Sequence, residues 1–507
     1  MTRPLSRASR SRRTQSSLDL AADTPREGEL KQAWIYRQIR ARILDGVLVK
    51  GTRLPSTRHL AERWQVSRAT VELAYDQLRS EGYVVGRSGS GTYVAAMVPD
   101  HFFDAGARIQ EAPQPPPKPL RRSASPNDAA PLVAGEAGAP FMARVADPLL
   151  FPLDLWRRAL QAGTRRVTAT HLGDKEPLGL GELRAQIASY LGVARGICCD
   201  AEQIVVLSGI RQGLDLCARL LLSSEDKVLV EDPGYLHASP IFGRHAREVV
   251  PVPVDAQGFS VAHARRRAGV RLAHVTPAHQ APTGVTMPVS RRLELLAWAE
   301  EADCWLIEDD YDSEFSYDSA PLPALKSLDA ADRVIHCGSF NKTMFAALRI
   351  GYAVLPRKLV PAFRQARHVT GRSTGVIEQM ALTCFLENGA FARHVRRARL
   401  AYAQRRDTVL AALHGALGPA RTKVSGEHAG FHLVWWLPPG IELAAFLHAA
   451  AQRGLRFQTV SDFCQRAVLP AGVVIGYAAL DDDALQRHAQ ALREAITIAS
   501  SSAGAGA

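Results

Sequence analysis

The period of the hydrophobic pattern changes several times along the chain. Three helical stretches come first, at about 31–45 (KQAWIYRQIRARILD), 56–64 (STRHLAERW) and 67–81 (SRATVELAYDQLRSE). The third repeats apolar residues at i, i+3, i+4 and i+7, as Val71, Ala74, Tyr75 and Leu78, so they form one buried stripe. Ser67 stands at its N-cap, where a hydroxyl can take an orphan backbone N–H. The QVS connection before it has helix-turn-helix spacing. YVVGRSGSGTYVA then reads as two short strands around a Gly-rich tip, a winged hairpin. From about residue 140, short β-branched runs alternate with longer helical patterns: QIVVLS, KVLVEDPG, REVVPVPV, RLAHVTP, CWLIEDD, RVIHCGS and RIGYAVLP. That alternation predicts an α/β domain with a large mixed, mostly parallel sheet. A charged helix opens the last part, 395–498, which mixes strands and helices as a small α+β subdomain.

Composition places the boundaries. Residues 1–29 are Arg/Ser-rich with little to bury and read as a disordered basic arm. Residues 97–139 contain PQPPPKP, and successive prolines exclude helix and central strand, so this is a semi-rigid spacer. SSSAGAGA ends the chain as an expected disordered tail, 499–507. The domains expected between are 30–96, 140–394 and 395–498. The 507 residues are 47% hydrophobic and 22% charged, enough for sizeable cores. No run of some 18 apolar residues predicts a membrane helix, and no apolar segment after the N-terminus predicts a secretory signal. Seven cysteines without a C-x-x-C pair predict buried reduced thiols in a cytosolic protein, with no disulfide framework and no metal site.

Net charge is +12, and residues 1–100 hold 17 Lys+Arg against 10 Asp+Glu. That asymmetry points to an anionic partner for the N-terminal part, nucleic acid before membrane. Arg68 and Thr70 face outward on the first turn of the third helix, where a cation opposes the helix dipole. A phosphate or a guanine edge at that place explains the violation. The stretch GTRLPSTRHLAERWQVSRATVELAYDQLRSEGYVVGRSGSGTYV resembles the winged helix-turn-helix of GntR-superfamily repressors. The resemblance implies DNA contacts at Arg58, Ser67, Arg68 and Thr70, and on the wing at Arg87, Ser90 and Thr92. Glu72 stands where some relatives carry another arginine.

A second chemistry lies in the C-terminal part. GSFNKTMFAALRIGY brings Lys342 to the end of an apolar strand, and WLIEDDYDSEF ends another in Glu308, Asp309, Asp310 and Tyr311. Open α/β sheets bind ligands at the carboxyl ends of their strands, so these groups share a crevice if the strands are neighbours. An amine, a carboxylate and a phenol are what pyridoxal 5'-phosphate needs: a Schiff-base lysine, a partner for the pyridine nitrogen and a donor to the ring oxygen. LSGIRQGLDL offers Ser208, Gly209 and the helix start at Ile210 to the phosphate, with Ser339 and Arg349 completing the cup. Tyr235, in EDPGYLHA, can cover the ring. Gly179-Leu180-Gly181 hints at a dinucleotide loop but lacks the preceding strand.

The ensemble resembles fold-type I aminotransferases, the PLP-dependent transferase fold. With the N-terminal module in front, residues 30–490 resemble the MocR family, a GntR subgroup; EDDYDSEF, TPAHQAPTGVTM, GSFNK and LRIGY carry the likeness. The resemblance implies Lys342 as the cofactor lysine, Asp309 on the pyridine nitrogen, Tyr311 on the ring oxygen, and Ser208, Gly209, Ser339 and Arg349 at the phosphate. It also implies a head-to-tail homodimer on two operator half-sites. Two departures stand out. Ala281 replaces an Asn that supports the ring oxygen in aminotransferases, with His279 or Gln280 as substitutes. Val474 falls where an Arg commonly binds the substrate carboxylate, and His237 occupies another position where an effector-binding Arg can occur. The reading is a regulator that senses the cofactor, or the cofactor with an amino acid or amine, with little or no turnover. The alternative is an active aminotransferase with an autoregulatory DNA-binding module.

Overall fold

The computed structural model describes residues 24–25, 28–87, 90–95, 140–143, 146–173, 176–318, 322–371 and 374–504. Nearly all of the expected arm and the whole of the expected spacer lie outside these residues. The chain forms two compact units, Met1–Arg121 and Arg122–Ala507, divided inside the Pro-rich stretch.

The first unit holds α1 (Lys31–Leu44), α2 (Thr57–Trp64), α3 (Arg68–Ser80) and an antiparallel hairpin of β1 (Val84–Arg87) and β2 (Gly91–Val94). Its core joins Trp34, Ile35 and Ile39 of α1 to Leu60 and Trp64 of α2 and to the Val71/Ala74/Tyr75/Leu78 stripe of α3. The Trp34 and Trp64 rings lie 5.0 Å apart and lock the first two helices. Gln65 ends α2 in the left-handed region (φ 49°), which turns the chain sharply into α3. Ser67 caps α3 by accepting from the Thr70 N–H at 3.0 Å.

The second unit is built on an eight-stranded sheet in the order β3-β10-β9-β8-β7-β4-β5-β6. These strands are β3 (Ile204–Leu207), β4 (Lys227–Asp232), β5 (Glu248–Asp255), β6 (Gly258–Phe259), β7 (Val270–Val275), β8 (Trp305–Asp310), β9 (Val334–Ser339) and β10 (Gly351–Val354). β9, β8, β7, β4 and β5 are parallel neighbours, while β10 and β6 pair antiparallel. All seven runs read from the sequence are strands of this sheet. A four-stranded antiparallel sheet follows, ordered β11 (Lys423–Ser425), β12 (His432–Trp436), β14 (Gly472–Gly476) and β13 (Gln458–Thr459).

Two expected boundaries move. One continuous helix, Ala390–Leu417, crosses the 394/395 border. Its start (Ala390, Phe391, Val395) packs in the large core with Met380 and Phe385, and its remainder (Ala398, Tyr402, Val409, Leu413) packs with Phe431 and Trp435 of the small one. The last helix, Asp482–Gly504, runs into the expected tail. Burial of Leu492, Ile496 and Ala499 carries it that far, and the Ser500 and Ser501 hydroxyls donate back to the Ile496 and Thr497 carbonyls instead of breaking it.

All seven cysteines are free thiols. Among the described residues no cluster could hold a metal ion, and no helix is long and apolar enough to cross a membrane. The Gly179-Leu180-Gly181 stretch serves packing. Gly179 has φ 102°, and a Cβ there would lie 2.5 Å from Val206 of β3. Gly179→Ala is expected to cost about 1–3 kcal/mol through overpacking alone, with left-handed strain added. Urea unfolding of the two proteins, compared at equal slope, checks this.

Candidate functional site

On the first unit, Arg58, Ser67, Arg68 and Arg87 are exposed, and Thr70, Ser90 and Thr92 are half-buried. Ser67 Oγ lies 2.6 Å from Thr70 Oγ1, so the two hydroxyls at the start of α3 hold each other. Arg68 Nε pairs with Glu72 at 2.8 Å and Arg58 Nε with Glu62 at 3.1 Å, both as i,i+4 contacts. Exposed pairs of this kind are worth only about 0.3–0.5 kcal/mol, so a phosphate can displace them. The Arg87 guanidinium lies 4.8 Å over the Tyr93 ring, and Ser90 Oγ is 2.7 Å from the Tyr93 hydroxyl. Tyr93 thus organises the wing, with Arg53 bridged to it from the loop before α2. Tyr93 and Arg53 went unnoticed in the sequence because only the strand pairing brings them beside Arg87.

In the second unit, the carboxyl ends of β8 and β9 open into a cavity of about 390 Å³, in the usual range for a small-molecule site. Gly209, Ile210, Tyr235, Asp309, Tyr311, Ser339, Lys342 and Arg349 all line it. The pleat sorts the acidic run of β8. Glu308 bonds His336 on β9 and the N–H groups of Leu325 and Lys326, and Asp310 pairs with Arg195 at 2.8 Å. Asp309, between them, points the other way into the cavity. Its carboxylate is 6% exposed and accepts no hydrogen bond among the described residues; His274 Nε2, 3.5 Å away, is its nearest charged-capable neighbour. The Lys342 ammonium sits 4.5 Å from the centre of the Tyr311 ring. Arg349 holds a left-handed backbone (φ 54°), and its side chain makes no ion pair among the described residues. Ser339 Oγ accepts from the Asn341 N–H and caps the short turn that carries Lys342.

Ser208 departs from its expected place. It does not line the cavity: its N–H donates to Gln212 Oε1 at 2.9 Å and its carbonyl accepts from Asn341 Nδ2 at 3.3 Å. Gln212, Asn341, Arg211 and Thr276 line the cavity instead. Gln212 and Asn341 sit inside the quoted motifs LSGIRQG and GSFNK; their amides were legible there as polar groups beside the turn.

Residues 150–502 match the family model of aminotransferase class I and II, and residues 31–94 that of the bacterial regulatory proteins of the gntR family. Over 488 residues, 96% of both chains, the sequence is 36% identical to a probable rhizopine catabolism regulatory protein, MocR, of Rhizobium meliloti. The chain belongs to the MocR family of GntR-type regulators. It is 33% identical to the pyridoxine biosynthesis transcriptional regulator PdxR of Corynebacterium glutamicum, covering 92% of this chain and 95% of that one. Among solved structures, the Pyrococcus horikoshii kynurenine aminotransferase, crystallised with PMP, aligns with TM-score 0.64 and 27% identity over 71% of this chain and 90% of its own. The α-aminoadipate aminotransferase LysN of Thermus thermophilus, complexed with N-(5'-phosphopyridoxyl)-L-leucine, aligns with TM-score 0.62 and 25% identity over 71% and 92%. The protein is therefore a transcriptional regulator with a GntR DNA-binding domain and an aminotransferase-like domain.

Within this MocR-family frame the two departures take a physical form. Ala281 lines the cavity, and neither expected substitute reaches in. Gln280 Nε2 donates to Glu231 and to the Pro233 carbonyl, while its Oε1 accepts from Thr283. His279 Nδ1 lies 2.9 Å from Asp312 and its Nε2 lies 3.2 Å from the Gly426 carbonyl. The Tyr311 hydroxyl is 3.4 Å from the same Nδ1, so His279 touches the site only through Tyr311. Val474 is buried on β14 with Ala143, Val434, Val460 and Phe463, where a charged carboxylate has no counterpart.

Burial pushes the His279 pKa down, but the Asp312 carboxylate and the Gly426 carbonyl outweigh it, and the pKa is raised. A raised folded-state pKa contributes stability that is complete below the unfolded histidine value and lost as pH rises through the folded one. His279→Gln should therefore lose most stability, relative to the parent, below about pH 6.5, and the gap should narrow at higher pH. Urea midpoints across pH 5–9 check the sign.

Proposed function

We propose that this regulator binds pyridoxal 5'-phosphate covalently through Lys342 and that occupancy of the cavity sets its affinity for an operator. The observation that carries the reading is a buried carboxylate, Asp309, that accepts no hydrogen bond among the described residues and shares one cavity with the Lys342 amine. The residues present fit the cofactor. Asp309 would accept a hydrogen bond from the protonated ring nitrogen and so keep that nitrogen charged. Tyr311 would donate to the ring oxygen, and Tyr235 would cover the ring. The N–H groups at Gly209 and Ile210, at the start of the helix Ile210–Leu221, meet the phosphate with Ser339 and the Arg349 guanidinium. When bound, the cofactor supplies an electrophilic carbon for amines and an electron-accepting ring.

Sensing, with little or no turnover, is supported by Val474: without a cation there, a substrate carboxylate loses the clamp that orients it for reaction. A ligand that frees or engages Lys342 shifts binding at a second site by interacting differently with two arrangements of the protein. On the DNA side, Arg68 and Arg58 read or anchor the operator from α3 and α2, Ser67 and Thr70 contact phosphate, and Arg87, Ser90 and Thr92 follow the backbone from the wing. The working form is a head-to-tail dimer on two half-sites in the bacterial cytosol, at the nucleoid when bound. The spacer frees the half-sites from strict helical-turn symmetry.

Bandshift of the protein's own upstream region, with and without cofactor, tests the reading: affinity should differ between the two forms. Lys342→Ala should lose borohydride-trapped cofactor and behave like the cofactor-free form. Equal affinities throughout, together with turnover near about 10 per second on common amino donors, would move the reading to the aminotransferase alternative. Arg68→Ala should lose about 1–3 kcal/mol of operator discrimination and keep weak, salt-sensitive binding. Unchanged operator affinity in that variant removes α3 as the recognition helix.

A further inference from the structure

The contacts proposed for α3 are polar, and they frame a strip of the helix that is not. At about 100° per residue, Ala69 and Leu73 lie one turn apart on the outward face, opposite the buried Val71/Ala74/Tyr75/Leu78 stripe. Arg68 and Glu72 border this strip on one side, Thr70 and Gln77 on the other. Leu73 is 54% exposed and lies outside the apolar core of its unit. The other large apolar residues of α3, Val71, Tyr75 and Leu78, are buried. The two acids beside the strip are matched by cations of the same helix, Glu72 by Arg68 at 2.8 Å and Asp76 by Arg79 at 2.6 Å. An anionic duplex is therefore not repelled from this face.

A single exposed leucine on a protein surface needs no special cause. The position of this one supplies a cause. It sits at the centre of the face that the reading above places on DNA, between side chains that donate or accept. Base edges in the major groove are polar, with one exception: the 5-methyl group of thymine. A leucine pressed on a carbonyl or amino edge strips its water and returns no hydrogen bond. Against a methyl group, both surfaces gain by leaving water.

We propose that Leu73 is a specificity-determining residue of this regulator, selecting a thymine in each operator half-site by contact with its 5-methyl group. This rests on the reading of α3 as the recognition helix. Ala69, one turn earlier on the same strip, is small and lets the helix approach the base edges closely. Five residues of helix separate Arg68 from Leu73, about 7.5 Å or roughly two steps of a duplex. The base pair met by Arg68 and the thymine met by Leu73 therefore lie in one half-site.

Duplexes selected by the full-length protein from a randomised pool provide the probe. Each thymine of the selected half-site is then replaced singly by deoxyuridine, which removes the methyl group and leaves every hydrogen-bonding atom in place. Affinity is read by bandshift at one fixed salt concentration. At one thymine of each half-site the parent should lose about fourfold in affinity, the worth of one buried methyl group. Leu73→Ala should bind the thymine duplex at least as weakly as the parent binds the deoxyuridine one, and should not distinguish the two. Leu73→Met, which keeps an apolar side chain of similar reach, should keep the distinction; circular dichroism checks that both variants hold their helices. The proposal is overturned if no deoxyuridine position weakens the parent. It is equally overturned if the sensitive position stays sensitive in Leu73→Ala, since the methyl group then acts through another side chain or through the stiffness of the duplex. Arg68→Ala separates this failure from that of α3 itself. Weakened binding by Arg68→Ala with no sensitive thymine sinks only the leucine contact. Parental affinity in Arg68→Ala removes α3 from the groove and the leucine contact with it. A pool from which no sequence is enriched overturns both.

Discussion

Glu308 and His336 face each other across the parallel pair β8–β9, with Nδ1 and the carboxylate 2.9 Å apart and both side chains fully buried. Burial works to raise the Glu308 pKa, but His336, Arg195 and the Lys326 N–H outweigh it and hold it at about 2. The pair sits in the register itself, so it reports and enforces that register. A slip by one residue would turn every side chain of β8 to the other face. Asp309 would leave the cavity, and Glu308 would enter an apolar layer without partners. Removing one member of such a buried pair costs about 3–5 kcal/mol, far more than any exposed pair on the molecule.

That register explains how residues 33 positions apart come to line one cavity. Parallel strands deliver their carboxyl ends to the same edge, so Asp309 and Tyr311 from β8 meet Ser339 and Lys342 from β9 there. β10 returns antiparallel beside β9 and brings Arg349, which precedes it, to the same edge. The buried ion pairs thus fix geometry, and Lys342 and Arg349 of the cavity lining take no part in them. On the DNA-binding unit the arrangement is the reverse. Arg58 and Arg68 are held by weak, solvent-screened pairs with Glu62 and Glu72, which organise the side chains while leaving them easy to transfer to phosphate.

Between the large and small sheets of the second unit, the long helix Ala390–Leu417 belongs to both cores. Polar contacts join the same two parts near the cavity. His279 reaches from the strand end after β7 to Gly426, His428 bonds Thr286, and His432 bonds the Pro282 carbonyl. The Asp232 carboxylate, beside the loop that carries Tyr235, accepts from the N–H groups of Gln465, Arg466 and Ala467. Tyr311 is therefore two hydrogen bonds from the small subdomain, through His279, and the loop that carries Tyr235 is one, through Asp232.

The sequence by itself determined the elements and the chemistry classes. Helix period, capping at Ser67 and the β-branched runs depend on neighbours close along the chain, so the three helices, the wing and seven of the eight strands of the large sheet were legible, as were Lys342, Asp309 and Tyr311 at strand ends. Boundaries that depend on burial were not. The helix crossing 394/395 and the final helix through Gly504 continue because apolar faces find cores that only the fold assembles. Side-chain direction also lay beyond the sequence. Three consecutive acids at 308–310 are sorted by the pleat and its register, Ser208 turns to Gln212, and His279 and Gln280 are drawn to Asp312 and Glu231. Each of these outcomes is set by a partner distant in sequence, and for buried polar groups the cost of going unpaired makes that partner decisive.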